Sequence, residues 1–364
     1  MEKVMSRKLI TISTIMTLMS TSVMADVPNV AADIAPIHSL VSKVMDGVGE
    51  PKLVIQSGAS PHGYRLRPSE AKALQDANLI FWMGEELTPW LEGAIDTLAS
   101  NASVTALLDQ EGIVLHDFRQ GALFEAHDHD DHDDHDDHDD HDDHKDHDDH
   151  DDHDGHDDHD DHDDHKDHDD HKDHDDHKDH DDHDGHDDHD DHGHGAHDPH
   201  AWLSPENAKL WLNIIASKLS VADPENAASY FTNAAAGQAE IEDMVAEVSA
   251  TLKPVQGGKF VVFHDAYQYF ENDFDFYASG AISLSDASDS SPARIARIQK
   301  RIRDEGIQCV LAEPQFKQGL VATVMEGSEA TASVIDPLGA DIKPGPMLYT
   351  QLIKNMAKKI KDCL

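Results

Sequence analysis

PENAASYFTNAAAGQAEIEDMVAEVSATL, Pro224–Leu252, is the stretch around which the rest of the chain organises. It is rich in Ala and Glu and carries no proline after the first residue. A continuous helix here runs roughly 40 Å at about 1.5 Å per residue, long enough to connect two lobes. Lys253-Pro254 and Gly257-Gly258 end it. Downstream, Phe260–Phe263, Cys309–Ala312 and Ala332–Ile335 read as strands, with a basic helix over Pro292–Glu305. Upstream, Asn29–Ala35, Leu53–Gln56 and Leu79–Met83 are short apolar runs of strand character. Pro36–Gly47 and Pro68–Ala77 between them have helical spacing, and Ser69 precedes a run of good helix formers. Ser204-Pro205-Glu206 is a helix start, with Ser as N-cap and Pro at the first helical position. Strand and helix alternate on both sides, which argues for α/β lobes built on mostly parallel sheets. The expected fold is two such lobes flanked by helices: 26–126 with 197–223, a linking helix over 224–253, and 254–364.

The N-terminus reads as an export signal. Lys3, Arg7 and Lys8 precede an uncharged apolar run, Leu9–Val23, and Val23-Met24-Ala25 supplies a cleavage site, so residues 1–25 are expected to be removed. The run is short for a bilayer span, which needs about 20 residues. No cysteine near Ala25 offers a lipid anchor, so a free protein in a periplasm-like compartment is expected. Cys309 and Cys363 are the two cysteines. In an oxidising compartment they either bridge, worth roughly 4 kcal/mol by loop entropy, or remain two inert thiols.

The net charge of −46 is concentrated in one segment, since His127–His192 holds 37 Asp against 4 Lys. Phosphate contacts need Lys and Arg, so nucleic acid is not an expected partner. From His132 to His192 a histidine recurs at every third residue, mostly as Asp-Asp-His. With almost no apolar side chains, residues 127–196 are expected to be a disordered insertion. Its imidazoles and carboxylates, among them His127, His129, His132, His135, His138, His192 and His194, suit Zn²⁺.

His38, His62, His116, His200 and His264 stand apart from the tract. His62 turns a loop after a predicted strand, His200 precedes the capped helix, and His264 closes the strand Phe260–Phe263. Asp336 follows Ala332–Ile335 in the equivalent place. Carboxyl ends of strands in open α/β sheets are where ligands bind. Three imidazoles and a carboxylate, two groups from each lobe, would make a tetrahedral N₃O site in the cleft. That donor set favours Zn²⁺ over Mn²⁺ or Mg²⁺. His38 is read as packing at a helix start and His116 as a peripheral ligand at most. Glu313 is read as orienting a ligand, and Trp202 and Tyr267 as packing residues.

Five motifs carry a resemblance. They are Ser60-Pro61-His62-Gly63-Tyr64 with Leu66-Arg67-Pro68-Ser69, Asp198-Pro199-His200-Ala201-Trp202-Leu203-Ser204-Pro205, Phe263-His264-Asp265-Ala266-Tyr267, Ala312-Glu313-Pro314-Gln315-Phe316 and Asp336-Pro337-Leu338-Gly339. Together, and in this order, they resemble the high-affinity zinc-uptake solute-binding proteins of Gram-negative ABC importers. The resemblance implies two α/β lobes joined by a rigid helix, one metal between them, and His62, His200 and His264 as ligands. It also implies a histidine- and acid-rich loop between the first two ligands and a disulfide matching Cys309 with Cys363. Some relatives place Glu directly before the first ligand histidine. Here that residue is Pro61, which cannot ligate, so the fourth position falls to Asp336, the favoured group, or to water.

The expected function is capture of Zn²⁺ in the periplasm and delivery to an ABC-type permease of the inner membrane with its cytoplasmic ATPase. The protein is expected to act as a monomer, with the tract binding further zinc weakly. Storage or buffering of zinc, and Mn²⁺ or Fe²⁺ binding by the same fold, are the alternatives. No HExxH and no general base beside the ligands is present, so a zinc hydrolase is not expected.

Overall fold

The computed structural model describes residues 27–119, 124, 197–283, 291–315 and 318–364. The expected signal segment, and every tract histidine named above, lie outside the described residues.

In the first half, β1 (Val30–Ala32), β2 (Lys52–Leu53), β3 (Leu79–Trp82) and β4 (Ser103–Ala106) form a parallel sheet in the order β2-β1-β3-β4. The central strands β1 and β3 are buried throughout, which is why they read as unbroken apolar runs. The edge strand β4 exposes Ser103 and Val104, so its sequence, SVTA, carries no apolar run by which to recognise it. Helices α1 (Ala35–Val44), α2 (Pro68–Gln75) and α3 (Pro89–Leu98) connect these strands. α2 starts one residue before Ser69. The Glu70 carboxylate accepts the Arg67 N–H at 2.7 Å, which caps the turn with Pro68 in first position.

After the undescribed segment, α4 (Pro205–Ala222) is capped by Ser204, whose side chain accepts the Asn207 N–H. The long helix α5 (Ala227–Leu252) follows a 3₁₀ turn over Pro224–Asn226, so it starts three residues later than its composition implies. The Asp223 carboxylate holds that turn by accepting from Asn226 and from Tyr230 Oη, each at 2.8 Å. α5 packs against α1 and α4 of the first half. Gly237 permits the approach, since a Cβ there would lie 2.9 Å from Leu212 Cδ1 and 3.1 Å from Lys43 Cγ.

In the second half, β5 (Phe260–His264), β6 (Ala281–Ser283), β7 (Cys309–Ala312) and β8 (Thr331–Val334) form a parallel sheet in the order β6-β5-β7-β8. Alternate residues of β5 and β7 face opposite ways. Val261, Phe263, Val310 and Ala312 enter an apolar cluster with Ile298 and Ile302 of α7 (Pro292–Glu305) and Val321 and Val324 of α8 (Gln318–Met325). Phe260, Val262, Cys309 and Leu311 enter the main core instead. That side is closed by α6 (Gln268–Phe274) and α9 (Leu348–Cys363). Leu348, Leu352, Ile353, Met356 and Ile360 form the buried stripe of α9, and this helix too packs on α5. Cys363, its last residue, is disulfide-bonded to Cys309, the first residue of β7. Two parallel sheets flanked by helices, with one long helix between them, are the expected α/β arrangement.

Candidate metal centre

Each of the three candidate ligand histidines is positioned by a different local device. His62 sits in the loop between β2 and α2. Trp90 of α3 donates its indole N–H to the Pro61 carbonyl at 2.8 Å, and Tyr64 Oη donates to Glu70 at 2.8 Å. The loop is thus held one residue before and two residues after the imidazole. His200 precedes the 3₁₀ turn Ala201–Leu203, where Asp198 Oδ1 accepts its backbone N–H at 3.0 Å. His264 is the last residue of β5, inside the strand and not just beyond it.

Buried carboxylates set the proton positions. Asp198 Oδ1 lies 2.7 Å from Nδ1 of His200, and Glu313 Oε1 lies 2.5 Å from Nδ1 of His264. A carboxylate offers only lone pairs, so Nδ1 carries the proton in both rings and the lone pair is left on Nε2. The two Nε2 atoms face each other at 3.4 Å. His62 completes the row, its ring centroid 5.5 Å from that of His200, which is 5.2 Å from that of His264. A cation placed between the two Nε2 atoms would draw on both rings. Burial pushes the Asp198 carboxyl up to about 6, against the opposing pull of the His200 N–H and Arg119.

Asp336 follows β8 and is half-buried. Its Oδ1 accepts the Leu338 N–H at 2.9 Å and its Oδ2 the Ala340 N–H at 2.5 Å, so the carboxylate shapes its own turn. That turn is docked beside the His200 segment, since Trp202 Nε1 donates to the Pro337 carbonyl at 2.8 Å. Among the described residues, no group of three or more His, Cys, Asp or Glu side chains is drawn together into a finished coordination shell. The three imidazoles are neighbours in a row, and Asp336 stands in the adjoining loop.

His38 is buried in α1, with Nε2 3.1 Å from the Pro51 carbonyl. His116 donates its backbone N–H to Tyr269 Oη, and its Nε2 accepts from Asn272. Asp198 and His197 escape the sequence reading. Asp198 had a usable signal, because an Asp two residues before a histidine can turn back onto it. His197, at the end of the histidine run, lies 2.9 Å from Asp117 and forms an isolated antiparallel bridge with it, for which no local signal exists.

Glu313→Gln is expected to weaken zinc binding about 10- to 100-fold, the usual cost of losing a carboxylate that orients a metal-bound histidine. Competition against a chromogenic chelator measures it. An unchanged dissociation constant would remove Glu313 from the site.

Two parallel α/β halves around a long helix are the architecture of solute-binding proteins. The profile of the family described as zinc-uptake complex component A, periplasmic (ZnuA) matches residues 30–363, and the chain belongs to that family. It is 46% identical over 335 residues to the high-affinity zinc uptake system protein ZnuA of Brucella abortus strain 2308, covering 92% of this chain and 91% of that one. The protein of the same name from Paracoccus denitrificans is 43% identical, with 93% of each chain covered. A crystal structure of ZnuA aligns with a TM-score of 0.64 at 20% identity, over 93% of this chain and 99% of that chain, a likeness of fold. The family consists of periplasmic solute-binding components of uptake systems, not enzymes.

Proposed function

We propose that this chain captures Zn²⁺ between its two halves and hands it to an ABC-type zinc permease in the inner membrane. His62, His200 and His264 would bind the ion, with Asp336 or water as the fourth group. The observation that carries this reading is the pair of Nε2 atoms 3.4 Å apart, each ring held by a carboxylate on its other nitrogen. The shared name of the relatives, high-affinity zinc uptake system protein, supports zinc as the cargo. Three nitrogen donors suit Zn²⁺ better than the oxygen-preferring Mn²⁺. Residues 1–25 would be the export signal. The halves would be 26–126 with 197–223, and 254–364, joined by 224–253 and working as a monomer.

The histidine tract would be an accessory, binding several ions weakly through His127, His129, His132, His135, His138, His192, His194 and their neighbours. It would raise the zinc concentration near the cleft, an effective-concentration effect. Calorimetric zinc titration of the mature chain lacking His127–His192, with a competing chelator, tests the hierarchy. One tight site is expected to survive. Loss of all tight binding would make the tract the primary store.

Zinc affinity is expected to fall as pH drops through about 6. Asp198 must be ionised to hold the proton on Nδ1 of His200, and its carboxyl sits at about 6. Above that pH the charged form supports the ligand. Below it, protonation removes the acceptor while protons also compete for the imidazoles. Chelator competition from pH 8 to 5 measures the trend, and a flat profile across that range would exclude it.

A further inference from the structure

Asp265, the residue directly after His264, and Glu271, on α6, are only 4% and 1% exposed. Two buried carboxylates in one place need a cation between them. It comes from the other half of the chain. Arg119 donates from Nε to both Asp265 oxygens at 3.0 Å, from Nη2 to Asp265 again, and from Nη1 to Glu271 at 2.6 Å. Phe124 lies under the guanidinium, its ring centroid 3.6 Å from Cζ. A planar fork can serve two carboxylates at once, and an ammonium cannot.

The same helix makes the neighbouring contacts between the halves. Tyr269 Oη donates to the Asp198 carbonyl at 2.7 Å and accepts the His116 N–H at 3.1 Å. Ser204 Oγ donates to Asp273 at 2.7 Å. α6 is therefore a handle by which the second half grips the first, and Arg119 is the charged part of that grip. Separating the halves pulls the guanidinium away from two buried anions and leaves them unpaired.

We propose that Arg119 is a latch between the halves that slows release of the captured ion, a positioning residue acting through Asp265 on His264. The inference rests on the reading of the cleft as the zinc site. His200 and His264 are only 4% and 2% exposed with the latch formed, so an ion held between them is shut in. Release needs the halves to part, so the latch acts on the dissociation rate.

The test loads the full mature chain with zinc and follows its loss to excess EDTA by stopped flow, well below the melting temperature. Wild type, Arg119→Met and Arg119→Lys are compared. Release is expected about tenfold faster in Arg119→Met and intermediate in Arg119→Lys, with stoichiometry unchanged. A folded Arg119→Met protein that releases zinc within about twofold of wild type would overturn the latch. If Arg119→Met gives no cooperative melt, Arg119→Gln, which removes the charge but can still hydrogen-bond the carboxylates, decides by the same criterion. Equilibrium titration of the wild type separates the two readings. Absence of a tight site there sinks the cleft assignment, and the latch with it, whereas a tight site with an unchanged rate sinks the latch alone.

Discussion

Replacing His62 and His264 together by alanine is expected to weaken tight zinc binding by about 10⁴-fold. Well-formed zinc sites carry on the order of 12 kcal/mol, or about 3 kcal/mol per ligand when shared among four groups. Losing two ligands therefore costs about 6 kcal/mol, and each 1.4 kcal/mol is tenfold. The pair is chosen because one imidazole comes from each half: His62 from the loop after β2, His264 from the end of β5. His200 would be left alone, its Nδ1 still held by Asp198 at 2.7 Å. Titration with a competing chelator, on protein lacking His127–His192 so that tract binding does not mask the loss, is the measurement. A double variant that kept the tight site would show that the ion is held elsewhere.

The second large effect is on stability. Replacing Cys309 and Cys363 by alanine is expected to cost about 4 kcal/mol in urea unfolding, because the bridge closes a loop with a separation of 54 residues. The loss should appear mainly through the unfolded chain, which regains the freedom that the cross-link removes. The native contacts of α9 remain available to the variant, since its buried stripe packs on α5 independently of the sulfurs. A loss under about 1 kcal/mol would mean that strain in the bridged native state offsets the entropic term. Sequence alone left the two cysteines open between a bridge and inert thiols. The fold closes that question by placing their Cα atoms 5.6 Å apart.

Elements whose cause is local were legible in the sequence. α7 starts and ends where its Pro and Glu predict, and Ser204 caps α4 as its position before Pro205 implies. The buried strands β3, β5 and β7 announce themselves as apolar runs. Short or partly exposed elements did not. β2 has two residues, β4 is half polar, and β8 lies one residue earlier than its apolar run suggests. α6 is only seven residues long, yet it makes the principal polar contacts between the halves.

The site divides in the same way. That His62, His200 and His264 are the residues to examine follows from residue type and from their places at loops and strand ends. That Glu313 meets His264 follows from parallel pairing of β5 with β7, in which Phe260 lies opposite Cys309 and the register carries His264 towards Glu313. Asp336 stands after β8, and its two oxygens accept backbone N–H groups of its own turn. Arg119 had no signal at all, because its partners lie 146 and 152 residues away.

The sequence by itself therefore determined the α/β alternation, the long helix and the chemical identity of the candidate donors, since apolar periodicity, caps and residue type act within a few residues. Only the tertiary structure decided which carboxylate orients which imidazole, how the halves are fastened and that the sulfurs meet. Those outcomes depend on strand register and helix packing, which join groups far apart in the chain.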